Sequence, residues 1–322
     1  MIRPFGLGDL GLLHRYRRHA LFLDSRPTLT WGRVMVPVGA LLSPLSALTG
    51  VFTSLSEVGG GRLPLLGQVA HSTGSSYAHF TFLAPDAAME SPHLPELLEH
   101  LIKRVGARGA QSLIADVDES SRAFLALRRA GFSIYARQRI YRIVRAPRGV
   151  VRLAGWRPAT ARDEMAVNLL CNSLVPNMVQ QVEPAPWGGM DGWVYYHGGD
   201  LLAYVNVARG PRGAWLQPFV HLDAAPFSEP LAALLAGLGP SRGKPLFICL
   251  RSYQHWLVGE LELLGGQAGP QQAVMVKRTT RPVNALETNH VAAAEARRAE
   301  PTTPIRVPYQ HLNREEELVT ND

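Results

Sequence analysis

The stretch SSYAHFTFLAP (residues 75–85) leads into HLPELLEHLIKRV (93–105), SLIADV (112–117) and SRAFLALRRAGF (121–132). The first and third segments have the β-branched and aromatic content of strands. The second and fourth carry apolar residues at helical spacing. In 93–105, Leu94, Leu97, Leu98, Leu101 and Ile102 form one apolar face. The order strand, helix, strand, helix closing on Ala130-Gly131-Phe132, then a final strand pair up to residue 147, returns from about residue 213.

The second occurrence contains a helix at 227–238, the strand PLFICL (245–250), a helix at 253–264 and the strand QAVMVKR (272–278). Before it, GWVYYHGGDLLAYVNVARGPRGAWLQPFVHL (192–222) reads as a three-stranded antiparallel meander. Its turns are His197-Gly198-Gly199-Asp200 and Arg209-Gly210-Pro211-Arg212-Gly213. Arg3-Pro4 and Asp9 recur as Arg157-Pro158 and Asp163, which marks where each copy opens. A helix after Thr160 is expected to bury Met165, Leu169, Leu170 and Leu174. The first copy carries extra residues in its uncharged 34–56 region.

With 322 residues, 46% apolar and 18% charged, the chain has material for two ordinary cores. The expected divisions are 1–147, 152–281 and a flexible tail at 282–322, with one helix over 291–299. The net charge of +7 is uneven: residues 1–150 hold 18 Lys and Arg against 10 Asp and Glu, and residues 151–322 hold 15 against 16. A polyanion would prefer the first half. No alternation of aromatic residues with Arg marks a nucleic-acid platform, so no nucleic-acid partner is expected.

Cys171 and Cys249 stand alone, without metal-ligand spacing, so neither a disulfide framework nor a metal site is expected. The opening MIRPFGLGD lacks signal-peptide order, and a cytoplasmic location is expected. The run from Val34 to Ser56 is long enough to span a bilayer, but Pro37, Pro44, Gly39 and Gly50 interrupt it. It reads as a buried helix followed by a buried strand. A membrane-contacting hairpin is the lesser reading, and no membrane partner is expected.

A meander, a strand ending Leu83-Ala84-Pro85-Asp86, and a helix with Ala123 closing on Gly131-Phe132 resemble the GNAT superfamily of N-acetyltransferases. Arg157-Pro158-Ala159-Thr160 and Val220-His221-Leu222-Asp223 are similar in the second copy. The resemblance implies an α/β (α+β mixed-sheet) fold, with two tandem GNAT-like acyl-CoA N-acyltransferase domains. It implies acetyl-CoA or another acyl-CoA as co-substrate and a small-molecule or protein amine as acceptor. Phe82, Leu83 and Ala84 correspond to the splayed part of the central strand, whose backbone binds the pantetheine arm.

His79 lies on that strand, on the face of Leu83, with the pKa range of a base for the attacking amine. A strand histidine held by hydrogen bonds is the plainer reading. His221 fits backbone capping. Asp116, Asp118 and Glu119 end the strand SLIADV, where open α/β sheets place ligands, though Asp118 and Glu119 equally suit the start of the next helix. Trp187, Trp193, Tyr195 and Tyr196, with Glu183 and Asp191, could line an acceptor pocket or pack a core.

Two departures from the family pattern bear on function. The loops DAAMESPHLPELL (86–98) and DAAPFSEPLAALL (223–235) lack glycine, and only His93 is basic. Leu127, and Leu261 or Glu262, stand where many members carry a proton-donating Tyr. Two functions follow: an N-acyltransferase, or a catalytically degenerate GNAT-fold module that binds a ligand or a protein.

Overall fold

The computed structural model describes residues 1–33, 50–57, 64–184, 191–239 and 243–279. The helix expected before residue 50, the tail with its 291–299 helix, and Trp187 lie outside these. Residues 1–281 make one compact unit.

The first half runs β1 (Ile2–Pro4), α1 (Leu10–Tyr16), β2 (Leu21–Phe22), α2 (Ser25–Thr30), β3 (Val51–Ser56), β4 (Leu65–Ala70), β5 (Tyr77–Ala84), α3 (Leu94–Gly106), β6 (Ser112–Asp118), α4 (Arg122–Arg129) and β7 (Ser133–Ile143). The second runs β8 (Trp156–Pro158), α5 (Glu164–Leu174), α6 (Asn177–Gln180), β9 (Gly192–His197), β10 (Asp200–Arg209), β11 (Ala214–Val220), α7 (Ser228–Leu238), β12 (Leu246–Arg251), α8 (Val258–Leu263) and β13 (Gln267–Arg278). This is an α/β, mixed-sheet architecture.

Both halves open on the same clamp. Arg3 grips Asp9 through Nη1 and Nη2 at 2.6 and 2.8 Å, and the Gly6 amide donates to the same carboxylate at 2.9 Å. Arg157 grips Asp163 at 2.8 and 2.5 Å, and Thr160 donates to it from both its amide and its hydroxyl. The planar guanidinium fits a carboxylate edge to edge, which is why Arg-Pro and Asp recur at matching positions.

Among the described residues each half ends in one long strand rather than a strand pair, and the two strands are exchanged. The sheet order is β1-β3-β4-β5-β6-β13-β7-β12-β11-β10-β9-β8, with β2 beside β5. Thus β13 from the second half lies between β6 and β7 of the first, antiparallel to both. In turn β7 pairs antiparallel with β12. Gln138 on β7 donates to Gln272 on β13 at 2.9 Å and accepts from the Cys249 thiol on β12 at 3.2 Å, fixing the crossover register.

Alternation along the exchanged strands sorts the two faces. Ala273 and Met275 pack under α3 and α4, where Leu97, Leu98 and Leu101 are fully buried as the helical spacing predicts. Each such side chain contributes about 1.5–3 kcal/mol by leaving water. Val274 and Val276 face the opposite side, toward α5 and α6. There α5 is rotated from the expected face: Val167, Leu170 and Cys171 are buried, whereas Met165 and Leu169 are exposed. Both sets have helical spacing, so periodicity alone could not choose between them.

The helix expected at 253–264 is a 3-10 segment, Ser252–Leu257, followed by α8, with Gln254 out of helical geometry. No helix among the described residues is long and apolar enough to cross a membrane.

Candidate functional site

β5 and β6 pair in parallel only from Tyr77–Ser112 to His79–Ile114. Beyond His79 they part, and the parting is filled from within the chain. Leu21 and Phe22 of β2 pair antiparallel with Leu83 and Phe82. Leu23 then bridges both walls: its amide donates to the Thr81 carbonyl at 3.0 Å, and its carbonyl accepts from the Asp116 amide at 2.7 Å. On its other edge β5 pairs with β4, through Gln68–Phe82, Gly67–Leu83 and Leu66–Ala84. Phe82, Leu83 and Ala84 are wholly buried, so in this arrangement they offer no open edge to an incoming pantetheine arm.

The corresponding parting in the second half lies between β11 and β12, which pair only from Ala214–Leu246 to Leu216–Ile248. The Val220 amide, the next donor on that edge, is taken by the Gln254 side chain at 2.9 Å. Amides alternate along a strand, so Pro218 sits on the same edge and has none to give. Leu216, Pro218, Leu234, Ile248 and Leu257 enclose about 10 Å³, room for about one water. Leu127 and Leu261 are buried in the two cores and cannot donate a proton. A pantetheine arm therefore fits neither parting as it stands.

The phosphate end is no better supplied. The first turn of α3 carries Glu96 and Pro95, and Glu90 just before it pairs with Arg122 at 3.1 Å. The first turn of α7 carries Glu229 and Pro230.

The same strands build a different site on the face bearing α2, α5 and α6. A cavity of about 470 Å³ opens over β5, β6, β7, β10, β11 and β12, so both halves supply its walls. One wall is Tyr77, His79, Asp116 and, from the segment after β2, Asp24. The second half contributes Glu183, Asn206, Arg209, Trp215, Gln217, Phe219 and Arg251, and α2 contributes Arg26. The main chain of α2 is tied to the β10–β11 turn, where the Arg212 amide donates to the Thr30 carbonyl at 2.9 Å.

His79 is half-exposed, with Nδ1 3.5 Å from Asp24 Oδ2 and its ring edge-on to Tyr77 at 5.5 Å. Asp24 is 8% exposed. Burial pushes its pKa up, the neighbouring Asp116 pushes it further, and His79 opposes both. Folding therefore holds the Asp24 proton more tightly than the unfolded chain does. The stability linked to it is intact below the ordinary carboxylate range, near pH 4, and is lost as pH rises through the elevated folded value. Asp24→Asn is expected to raise Tm at pH 8, with the gain closing toward pH 4, in melts across that range. A gain constant with pH would refute the assignment.

Glu183 accepts from Tyr135 Oη at 2.5 Å and from Arg251 Nη2 at 3.1 and 2.9 Å. Burial first, then the Glu183 charge, raises the Tyr135 phenol well above its usual range and pushes Tyr77 up to about 12. Both remain neutral hydrogen-bonding groups at physiological pH.

Of the residues singled out in the sequence, His79, Asp116 and Glu183 reach this cavity. Asp118 instead accepts from Ser120, and Glu119 pairs with Arg137 at 2.7 Å. His221 caps the Asp223 amide. Trp193 and Tyr195 pack into the opposite core, and Tyr196 donates to Asp163. Asp24 and Arg251 were not anticipated. Arg251 had a readable signal, a lone charge ending the apolar strand LFICLR, the end at which open sheets hold ligands.

No family model and no curated protein matches the chain. Among solved structures it is similar to a GCN5-related N-acetyltransferase from Sphaerobacter thermophilus, with 11% identity, 72% of this chain and 82% of that chain covered, and a TM-score of 0.48. A tandem GNAT protein from the clavulanic acid biosynthesis pathway is 14% identical over 88% of this chain and 99% of its own, with a TM-score of 0.46. A GCN5-related N-acetyltransferase from Kribbella flavida is 16% identical over 72% and 92%, with a TM-score of 0.45. Likeness at these levels adds nothing about chemistry.

Proposed function

We propose that this chain is a GNAT-fold ligand-binding protein, that its binding site is the cavity shared by the two halves, and that its ligand is a small amine. The observation that carries this reading is the state of the two partings: β2 occupies one, and Gln254 with Pro218 closes the other. The cavity, by contrast, is open, has aromatic walls, and presents Asp24 and Asp116 to a cation. Cavities of this size with a few converging polar groups are the usual small-molecule sites. Cys171 and Cys249 are buried free thiols, both pushed up to about 12 by burial, which suits a reducing cytoplasm.

The second reading is acyl transfer to that amine, with His79 as its base. The placement of His79 against Asp24, beside the β5–β6 parting, favours it. It requires the β2 segment to leave before acetyl-CoA or another acyl-CoA can enter along Phe82, Leu83 and Ala84.

Thermal shift separates the two readings, because a ligand of the native state raises Tm with concentration. Amines are expected to raise Tm, and acetyl-CoA at millimolar concentration to leave it unchanged. Stabilisation that grows with acetyl-CoA, together with amine-dependent release of free CoA thiol, would overturn the binding-only reading in favour of transfer.

A further inference from the structure

A second, smaller cavity of about 120 Å³ lies on the other face of the sheet. Side chains alternate along β7, so Arg137, Arg139 and Tyr141 point away from the face of Gln138, and Tyr141 packs into the core beneath α7. Across the sheet, Arg139 has Leu250 of β12 as its Cα partner on one side and Gln271 of β13 on the other. Arg137 stands two residues away on the same face, about 7 Å along the strand. Where β12 ends, the 3-10 segment Ser252–Leu257 packs against β7, and Ser252, His255 and Val258 of α8 complete the lining.

The charge around this space is one-sided. Arg137, Arg139, Arg251 and His255 line it, and none of its lining residues carries a carboxylate. Two of the guanidinium groups are answered from outside: Glu119 accepts from Arg137 Nε at 2.7 Å, and Glu183 accepts from Arg251 Nη2 at 2.9 Å. Arg139 is half-buried, and no hydrogen bond or ion pair among the described residues engages its guanidinium. A cation held in a concavity beside other cations is destabilised by their repulsion, and the summed field draws in anions. Guanidinium N–H groups, the Ser252 hydroxyl and the His255 ring supply donors, and the planar guanidinium matches a phosphate edge. The space has room for several waters, which suits a compact ion.

We propose that this cavity binds a compact oxyanion of the phosphate type, with Arg139 as its principal cation and Ser252 and His255 as further donors. Gln138 and Arg251 line both this cavity and the larger one, but the proposal does not depend on what the larger one holds. Inorganic phosphate and a phosphate monoester present the same group to these donors.

Titration calorimetry on the full chain, at constant ionic strength balanced with chloride, tests it with inorganic phosphate, phenyl phosphate and acetate. Inorganic phosphate is expected to bind saturably and about tenfold or more tighter than acetate. Arg139→Gln should weaken phosphate about tenfold or more, the scale of a lost hydrogen bond to a charged group. In phosphate-free buffer the same variant should melt no lower than the wild type, because the charge it removes is uncompensated. Ser252→Ala, at an exposed position, should weaken phosphate by a smaller factor.

Phenyl phosphate binding as tightly as inorganic phosphate would assign the site to a monoester, and its exclusion would assign the site to the free ion. Phosphate binding no tighter than acetate would overturn the proposal, as would phosphate affinity unchanged by Arg139→Gln. If Arg139→Gln does not fold, phosphate affinity unchanged by Ser252→Ala and His255→Ala together would overturn it instead.

Discussion

A chain ended after Leu264 will not fold in either half. Removing β13 takes Ala273 and Met275 out of the first half's core and Val274 and Val276 out from beneath α5 and α6, and it leaves β6 and β7 with open edges. Unpaired central edges of this length invite intermolecular pairing. The expected result is an aggregated product, without the far-UV circular dichroism or protease resistance of the full chain. A point change makes the same case in soluble protein: Met275→Ala, at a wholly buried position, should cost about 2–5 kcal/mol. It should also shift a single cooperative transition that includes both halves. Two separate calorimetric transitions, only one of them moved by the substitution, would contradict the interlock.

Loss of Glu183 carries the second large effect. Arg251 and Glu183 are both nearly buried, and removing one partner leaves the other charge without compensation. Glu183→Ala is therefore expected to destabilise the fold by about 3–5 kcal/mol. The double variant Glu183→Ala with Arg251→Met should regain much of that loss, because it removes both charges together. Chemical denaturation of the wild type and the three variants closes the cycle, and strict additivity of the two single changes would show that the pair is not coupled. A loss under 1 kcal/mol for Glu183→Ala would place the pair in solvent rather than buried.

Much of the architecture was readable along the chain. The Leu face of α3, the meander of β9 to β11 and the recurrence of Arg3-Pro4 and Asp9 as Arg157-Pro158 and Asp163 follow from local periodicity and repetition, although the Arg–Asp clamps themselves were not read. The strand exchange was not readable, because β7 and β13 alternate as any half-buried strands do, and nothing local distinguishes a neighbour in the same half from one in the other. The plug was equally hidden: β2 is two residues long, below the length at which alternation registers, and it acts through its backbone. In the site, His79 stood out as the one histidine in an apolar strand, whereas Asp24 gains its meaning only when the segment after β2 is laid against β6.

The exchange of β7 and β13 also bears on how the protein is made. Residues 112–118 emerge from the ribosome long before residues 272–278, their partners in the sheet. Throughout synthesis of the second half, the nascent first half must wait with a gap between β6 and β7. Pairing across so much intervening chain is slow, and an exposed gap is where misassembly begins. Production in the cell should accordingly depend on chaperone supply and translation speed, even though β13 fills that gap in the finished molecule.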